Sequence, residues 1–315
     1  MDARAIRAAL IRWYESAGRD LPWRRTRDPY AIWISEIMLQ QTRVAAVIPY
    51  YEKFLAAYPD PRALAAAPEE QVLAMWAGLG YYSRARNLQK AARQMGETFP
   101  RDYASLRLLA GIGDYTAAAI ASIAYGLPHA AVDGNVRRVV VRLTNDEDAD
   151  AAAHAETLLD RRNPGRWNQA MMELGATVCL PRNPLCLLCP VSTLCEAHRK
   201  GRQREIPSKR VKPDAVRLTR TLLVARRNGK VLLTPSPRVK GFWDLPEEIH
   251  EAKRGRIVGE FRHTITFRHY HFIVRQATAG RVSKPLEWFH EKQLNEIPLS
   301  TTAKKALRCL KKKDT

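Results

Sequence analysis

Four of the five cysteines fall within 17 residues, as Cys179, Cys186, Cys189 and Cys195, with the spacing Cys-x6-Cys-x2-Cys-x5-Cys. This feature constrains the fold most, because four thiols so close together ask for a shared metal. Zinc and a [4Fe–4S] cluster both accept four thiolates, and the spacing does not separate them. The loop Leu180 to Leu185 is stiffened by Pro181 and Pro184 and carries Arg182. Cys309 stands apart in a basic helical stretch and reads as packing. No apolar run reaches membrane-spanning length, and the N-terminal segment is not of secretory type. The expectation is an intracellular chain with its thiols reduced or metal-bound.

The cysteines sit where the residue pattern changes. Before them, Ala, Leu and Ile recur at three- and four-residue spacing, which predicts a nearly all-helical domain over residues 1–198. Asp28-Pro29 predicts an N-cap and first-turn proline for a helix running to about Thr42. Residues 199–213, RKGRQREIPSKRVKP, are basic, polar and proline-containing, and read as a linker. Beyond them, residues 214–315 read as a small α+β module. Arg217 to Ala225 and Val231 to Thr234 flank Asn228-Gly229, a hairpin signal. Arg256 to Glu260 and Thr264 to Arg275 are further predicted strands, and Thr301 to Lys312 a closing helix.

Charge narrows the partner. The 52 Lys and Arg outnumber the 32 Asp and Glu, for a formal charge of +20. Such an excess favours a polyanion, most simply nucleic acid. Leu108 to Arg138, LLAGIGDYTAAAIASIAYGLPHAAVDGNVRR, offers a seat for one. A turn set by Gly111 and Gly113 opens a helix whose free N–H groups suit a phosphate. Asp133 follows about twenty residues on, and suits either chemistry beside that phosphate or an N-cap for the helix it precedes.

The LAGIG turn, VDGNVRR and the cysteine spacing, in that order, resemble the helix-hairpin-helix DNA glycosylases that carry a [4Fe–4S] cluster, the endonuclease III superfamily. Leu21 to Val44 (LPWRRTRDPYAIWISEIMLQQTRV) and Gly78 to Leu88 (GLGYYSRARNL) are similar to the MutY family of adenine glycosylases. The resemblance is dense over the first 200 residues. It is weaker beyond, at GFWDLPE and IPLSTTAKKAL. It implies a six-helix barrel with an iron–sulfur subdomain (loop 179–195), followed by a Nudix-like lesion-recognition domain. No Nudix box is present, so triphosphate hydrolysis is not expected. It also implies a [4Fe–4S] cluster on Cys179, Cys186, Cys189 and Cys195, and a monomer acting on double-stranded DNA with adenine opposite 8-oxoguanine or guanine.

The same resemblance assigns roles. Glu36, set among Trp33, Ile37 and Met38, protonates adenine N7 and later activates water. On the helix pattern alone it reads as a surface glutamate, and the WISEIMLQQT resemblance reverses that; buried beside a base, desolvation would make it an acid near neutral pH. Asp133 stabilises the sugar cation left when the base departs, and Asn135 assists both carboxylates. Tyr115 stands where strand-cleaving relatives place a Schiff-base lysine. No lysine lies between Lys90 and Lys200, so base removal without amine-driven strand cleavage is expected. Gln41, Tyr81 and Leu39 resemble residues that wedge into the duplex at the partner base. Arg19 and Arg24 match arginines near the adenine pocket.

The resemblance departs at Phe267, Arg268 and His269, where MutY proteins read 8-oxoguanine through Phe-Ser-His. Arginine only donates hydrogen bonds, whereas the N7–H of the damaged purine wants an acceptor. Arg268 suits a phosphate, or the O6 and N7 edge of undamaged guanine. Two other readings stand beside adenine excision: a thymine glycosylase for T·G pairs, which also carries tyrosine at the Tyr115 position, and a non-catalytic DNA-binding protein.

Overall fold

The computed structural model describes residues 2–96, 98–148, 150–208, 214–250 and 252–311. The chain divides into two compact units, Met1–Ala65 with Lys90–Arg210, and Ala66–Gln89 with Val211–Thr315.

The first unit is helical. Its central element is the helix Pro29–Leu39, in which every residue from Tyr30 to Met38 is buried. Pro29 presets its first turn, and the Asp28 carboxylate accepts from Tyr30 N at 3.0 Å. It ends at Leu39, short of Thr42. Small residues let the helix Asp114–Tyr125 pack closely; its buried positions include Ala117, Ala118, Ala119 and Ala121. The helix Pro164–Thr177 approaches it at Gly165, where a Cβ would meet Ser122 O at 2.6 Å. A larger core joins Ile6 and Leu10 of the first helix, Val136, Val139 and Val140 of Gly134–Thr144, and Trp167, Met171 and Leu174 of Pro164–Thr177. Cys179, Cys189 and Cys195 pack at its edge.

The stretch expected to be a linker is in part folded. Ile206 is buried with Val141 and Ala197, its carbonyl accepts from Arg142 Nε at 2.9 Å, and Ser208 Oγ donates to Glu147. One apolar residue among many basic ones suffices to dock the segment. Residues 209–213 lie outside the described residues.

The second unit is built on a sheet in the order β3-β2-β1-β5-β4, with β6 pairing β2. The strands are β1 (Val216–Arg227), β2 (Lys230–Pro235), β3 (Trp243–Asp244), β4 (Lys253–Ile265), β5 (Arg268–Thr278) and β6 (Glu287–His290). β1 runs parallel to β5, and the other pairings are antiparallel. Asn228 and Gly229 both take positive φ in the β1–β2 hairpin. The helix Thr301–Lys311 covers one face through Ala303 and Ala306. Cys309 packs there as well, its Cβ meeting a Cβ built on Gly259 at 2.7 Å.

Two expectations need correcting. The strand expected from Thr264 to Arg275 is interrupted by a tight turn at Thr266 and Phe267, so Thr264 and Ile265 end β4 and β5 starts at Arg268. Thr266 holds a φ of 54° without the glycine or asparagine that marks such turns. The division also does not fall at one point near residue 198. Ala66–Gln89 belongs with the C-terminal segment, where the Tyr82 ring lies 4.0 Å from Phe242 and Lys304 Nζ donates to Ala77 O.

Candidate active site

The helices Pro29–Leu39, Asp114–Tyr125, Gly134–Thr144 and Pro164–Thr177 surround a cavity of about 1040 Å³ in the first unit. Glu36, Tyr115, Asp133, Asn135, Arg19, Arg24, Leu39 and Gln41 all line it. Residues more than 110 positions apart in the chain, such as Arg19 and Asn135, thus meet at one site.

Glu36 is 5% exposed. Burial pushes its carboxyl up to about 7, aided by the nearby charge of Asp133 and opposed by a hydrogen bond from Tyr115 and by Arg24. The Tyr115 hydroxyl donates to Glu36 Oε2 in a short contact and lies 3.1 Å from Met172 Sδ. Burial and the adjacent carboxylates hold that phenol well above its ordinary value, so it stays a donor. A carboxylic acid that titrates near neutrality can both give up and take back a proton at physiological pH.

Asp133 is both a cap and a cavity group. Its Oδ1 accepts from Val136 N at 2.7 Å, which starts the helix Gly134–Thr144, and its Oδ2 accepts from Asn135 Nδ2 at 2.8 Å. Both oxygens are held in place, which is what a carboxylate facing a transient cation requires. Asn135 is held in turn, its Oδ1 accepting from Arg138 Nη2 at 2.8 Å. Arg138 also donates to Cys179 O at 2.8 Å and Gly175 O at 2.8 Å.

Glu173 completes the site and was not singled out from the chain. Its side chain is fully buried, with Oε1 accepting from Arg19 Nε at 2.7 Å and Oε2 from Arg24 Nη2 at 2.8 Å. Burial would push its carboxyl up, but the hydrogen bonds from Arg19 and Arg24 outweigh it, and it lies below the ordinary carboxylate value. A signal existed: Glu173 is the lone acid in an apolar helix stretch, MMELGA, with no basic partner three or four residues away.

The glycine turn lies outside the cavity, between the helices Tyr103–Arg107 and Asp114–Tyr125. Gly111 has a φ of 76°, and Gly113 caps the second helix without a side-chain hydrogen bond, leaving the first N–H groups available. Gln41, at the cavity, has a φ of 56°. Tyr81, Phe267, Arg268 and His269 belong to the second unit. There Tyr81 is 50% exposed with a φ of 47°, while Tyr82 packs on Phe242. Phe267 is at the β4–β5 turn, its ring 5.6 Å from the Arg268 guanidinium.

Among the described residues, no group of three or more His, Cys, Asp or Glu side chains converges in metal-ligand geometry. The four cysteines nevertheless form a donor set of sulfur alone on one short loop. Cys179 Sγ accepts from Arg142 Nη1 at 3.2 Å, and Cys195 Sγ donates to Arg142 O at 3.2 Å. Four sulfur donors on one loop, with an arginine donating to one of them, fit a sulfur-ligated centre in their chemistry.

Residues 34–164 match the model of the HhH-GPD superfamily base excision DNA repair protein. Adenine DNA glycosylase of Homo sapiens is 46% identical over 223 residues, 64% of this chain and 41% of that protein. Adenine DNA glycosylase of Buchnera aphidicola subsp. Baizongia pistaciae (strain Bp) is 30% identical over 339 residues, covering 97% of each. The chain spans less than half the length of the mammalian relatives it matches. Among solved structures, a thermostable thymine-DNA glycosylase is 31% identical with a TM-score of 0.59, covering 63% of this chain and 97% of that one. Endonuclease III in a non-covalent DNA complex is 25% identical with a TM-score of 0.56, covering 64% of this chain and 98% of that one.

Proposed function

Because the chain belongs to the adenine DNA glycosylase family of the HhH-GPD superfamily, we propose that it removes adenine mispaired with 8-oxoguanine or guanine, the first step of base excision repair. The observation that carries this reading is Glu36, a buried acid that burial pushes up to about 7, beside Asp133 in one cavity large enough to take a base. Adenine is a poor leaving group until a ring nitrogen is protonated. Glu36 gives that proton to N7, the C1′–N9 bond breaks, and Asp133 stabilises the resulting sugar cation. The Glu36 carboxylate then takes a proton from the water that attacks C1′. Glu173 accepts from the exocyclic amine of adenine, and its arginines keep it ionised for that task.

The enzyme is monofunctional in this reading. Tyr115 offers a phenol whose pKa is held far above neutrality, which suits hydrogen bonding to Glu36 and not nucleophilic attack. The glycine turn takes a DNA phosphate, Gln41, Leu39 and Tyr81 open the duplex, and Phe267, Arg268 and His269 meet the partner base. Cys179, Cys186, Cys189 and Cys195 would hold a [4Fe–4S] cluster, which when bound supplies a rigid cross-link. Zinc is the alternative occupant. The loop's own contribution is to position Arg138, and through it Asn135 and Asp133.

The test is a single-turnover assay on duplexes with A·8-oxoguanine, A·G, T·G and T·A pairs, with alkaline work-up to reveal abasic sites. Cleavage confined to T·G would replace adenine by thymine, a second reading favoured by the likeness to the thymine-DNA glycosylase structure and by Tyr115. If wild type were no faster than Glu36→Gln, a non-catalytic DNA-binding role would take its place.

A further inference from the structure

A second cavity, of about 580 Å³, lies against the first and shares with it Arg19, Arg24, Ile123 and Gln169. The two cavities otherwise have different linings. The first extends to the stretch Leu39 to Ala45, while the second is bounded by Tyr125, Gly126 and the start of the helix Pro164–Thr177. Four residues therefore line both the base-binding cavity and a second cavity, itself large enough for a purine.

The wall has a fixed part and a looser part. Arg24 is 14% exposed and lies over the Tyr14 ring at 5.3 Å, and the Tyr14 hydroxyl donates to Gln169 Oε1 at 3.0 Å. These three brace one another. Arg19 is 38% exposed, and among the described residues its side chain donates to Glu173. A base that donates to the Glu173 carboxylate competes with both arginines for its oxygens, but Arg24 keeps its place over the Tyr14 ring and its bond to Arg19 O. Occupation of the first cavity thus weakens the bonds that keep Arg19 in the wall.

In the adenine glycosylase reading, the base is freed beneath the DNA that delivered it, and abasic DNA that stays bound would cover the mouth through which the nucleotide entered. We propose that the freed base leaves through the second cavity, past Arg19, while the abasic DNA is still bound. The inference rests on the adenine glycosylase reading above. It assigns an order to the products, base before DNA.

The experiment uses the full chain in excess over a duplex with tritiated adenine opposite 8-oxoguanine and a separate label on the DNA. One portion is quenched to measure excision. A second is passed through a filter that retains protein–DNA complexes but not free base. For wild type, tritium passes at the rate of excision while the DNA label stays on the filter. Ala124→Trp fills the second cavity from a position that does not line the first. It is expected to excise at the wild-type rate but to retain tritium about tenfold longer or more, as befits a slowed product release. Tyr125→Trp, at the neighbouring lining position, acts in the same direction and decides the matter if Ala124→Trp does not fold. Tritium leaving only together with the DNA in wild type, or unhindered release in a folded cavity-filled variant, would overturn the inference alone. Absence of excision in the quenched portion would overturn the enzyme reading and the inference with it.

Discussion

Replacing Tyr115 by phenylalanine tests the origin of the acid at Glu36. The substitution keeps the ring but removes the hydroxyl that donates to Glu36 Oε2. That hydrogen bond holds the carboxyl down against burial and the charge of Asp133, and without it only Arg24 still acts in that direction. A hydrogen bond to a charged group contributes about 1.5–3 kcal/mol. At about 1.4 kcal/mol per pH unit, its loss raises the Glu36 midpoint by about one to two units. We take the lower figure, because water in the cavity replaces part of the lost bond. The acid form drives base departure, so activity falls as pH rises through the midpoint. At pH 8 the protonated fraction goes from about a tenth for a midpoint of 7 to about a half for a midpoint of 8. The assay is the single-turnover excision rate from pH 5.5 to 9, each variant normalised to its own acidic plateau. The basic limb is expected to move up by about one unit. A limb that stays in place or moves down would refute the argument that Tyr115 sets the acidity of Glu36, whatever happens to the plateau.

Other consequences follow from the same geometry. Glu36 titrates at about 7 in the folded chain against an ordinary 4.5, so the folded state binds the extra proton between those values and loses stability as pH rises through that window. The loss amounts to about 3 kcal/mol above pH 7; Glu36→Gln should therefore melt several degrees higher than wild type at pH 8 and nearly level with it at pH 4.5, and equal melting at pH 8 would contradict the burial argument. Gly175→Ala should cut the excision rate and cost about 1–3 kcal/mol of stability, as overpacking does, because the added Cβ would meet Asn135 Cβ at 2.6 Å and push on the group that holds Asp133. Wild-type kinetics in a folded Gly175→Ala protein would show that Asn135 tolerates displacement. Iron analysis with a visible absorption spectrum should give an iron–sulfur signature in the purified protein, lost in Cys189→Ser; zinc with no visible band would replace the cluster by the alternative metal.

Much of this protein was legible from local rules. Asp28-Pro29 marked the start of the central helix, because capping and proline geometry involve neighbours in the chain. Asn228-Gly229 marked a hairpin for the same reason. Gly111 and Gly113 sit in the turn their spacing predicted. Thr266 failed the rule, since a β-branched residue in a left-handed turn is held there by the pairing of β4 with β5, which no local pattern encodes.

The residue types, their order and the family resemblance were enough to indicate a helical glycosylase followed by an α+β module, and to single out Glu36, Asp133 and Tyr115. They could not say that Glu36 is buried, for a carboxylate in a helix suits the surface as well as the core. That was decided by the meeting of four helices, which removes water from Glu36, brings Tyr115 onto it, and places Asp133 near enough to raise its pKa. Glu173 depended wholly on the fold, since its arginine partners lie about 150 residues away and its charge is tolerable only once they surround it. Propensity and capping act over a few residues and can be read along the chain; desolvation and charge pairing depend on what the folded chain brings within a few ångströms.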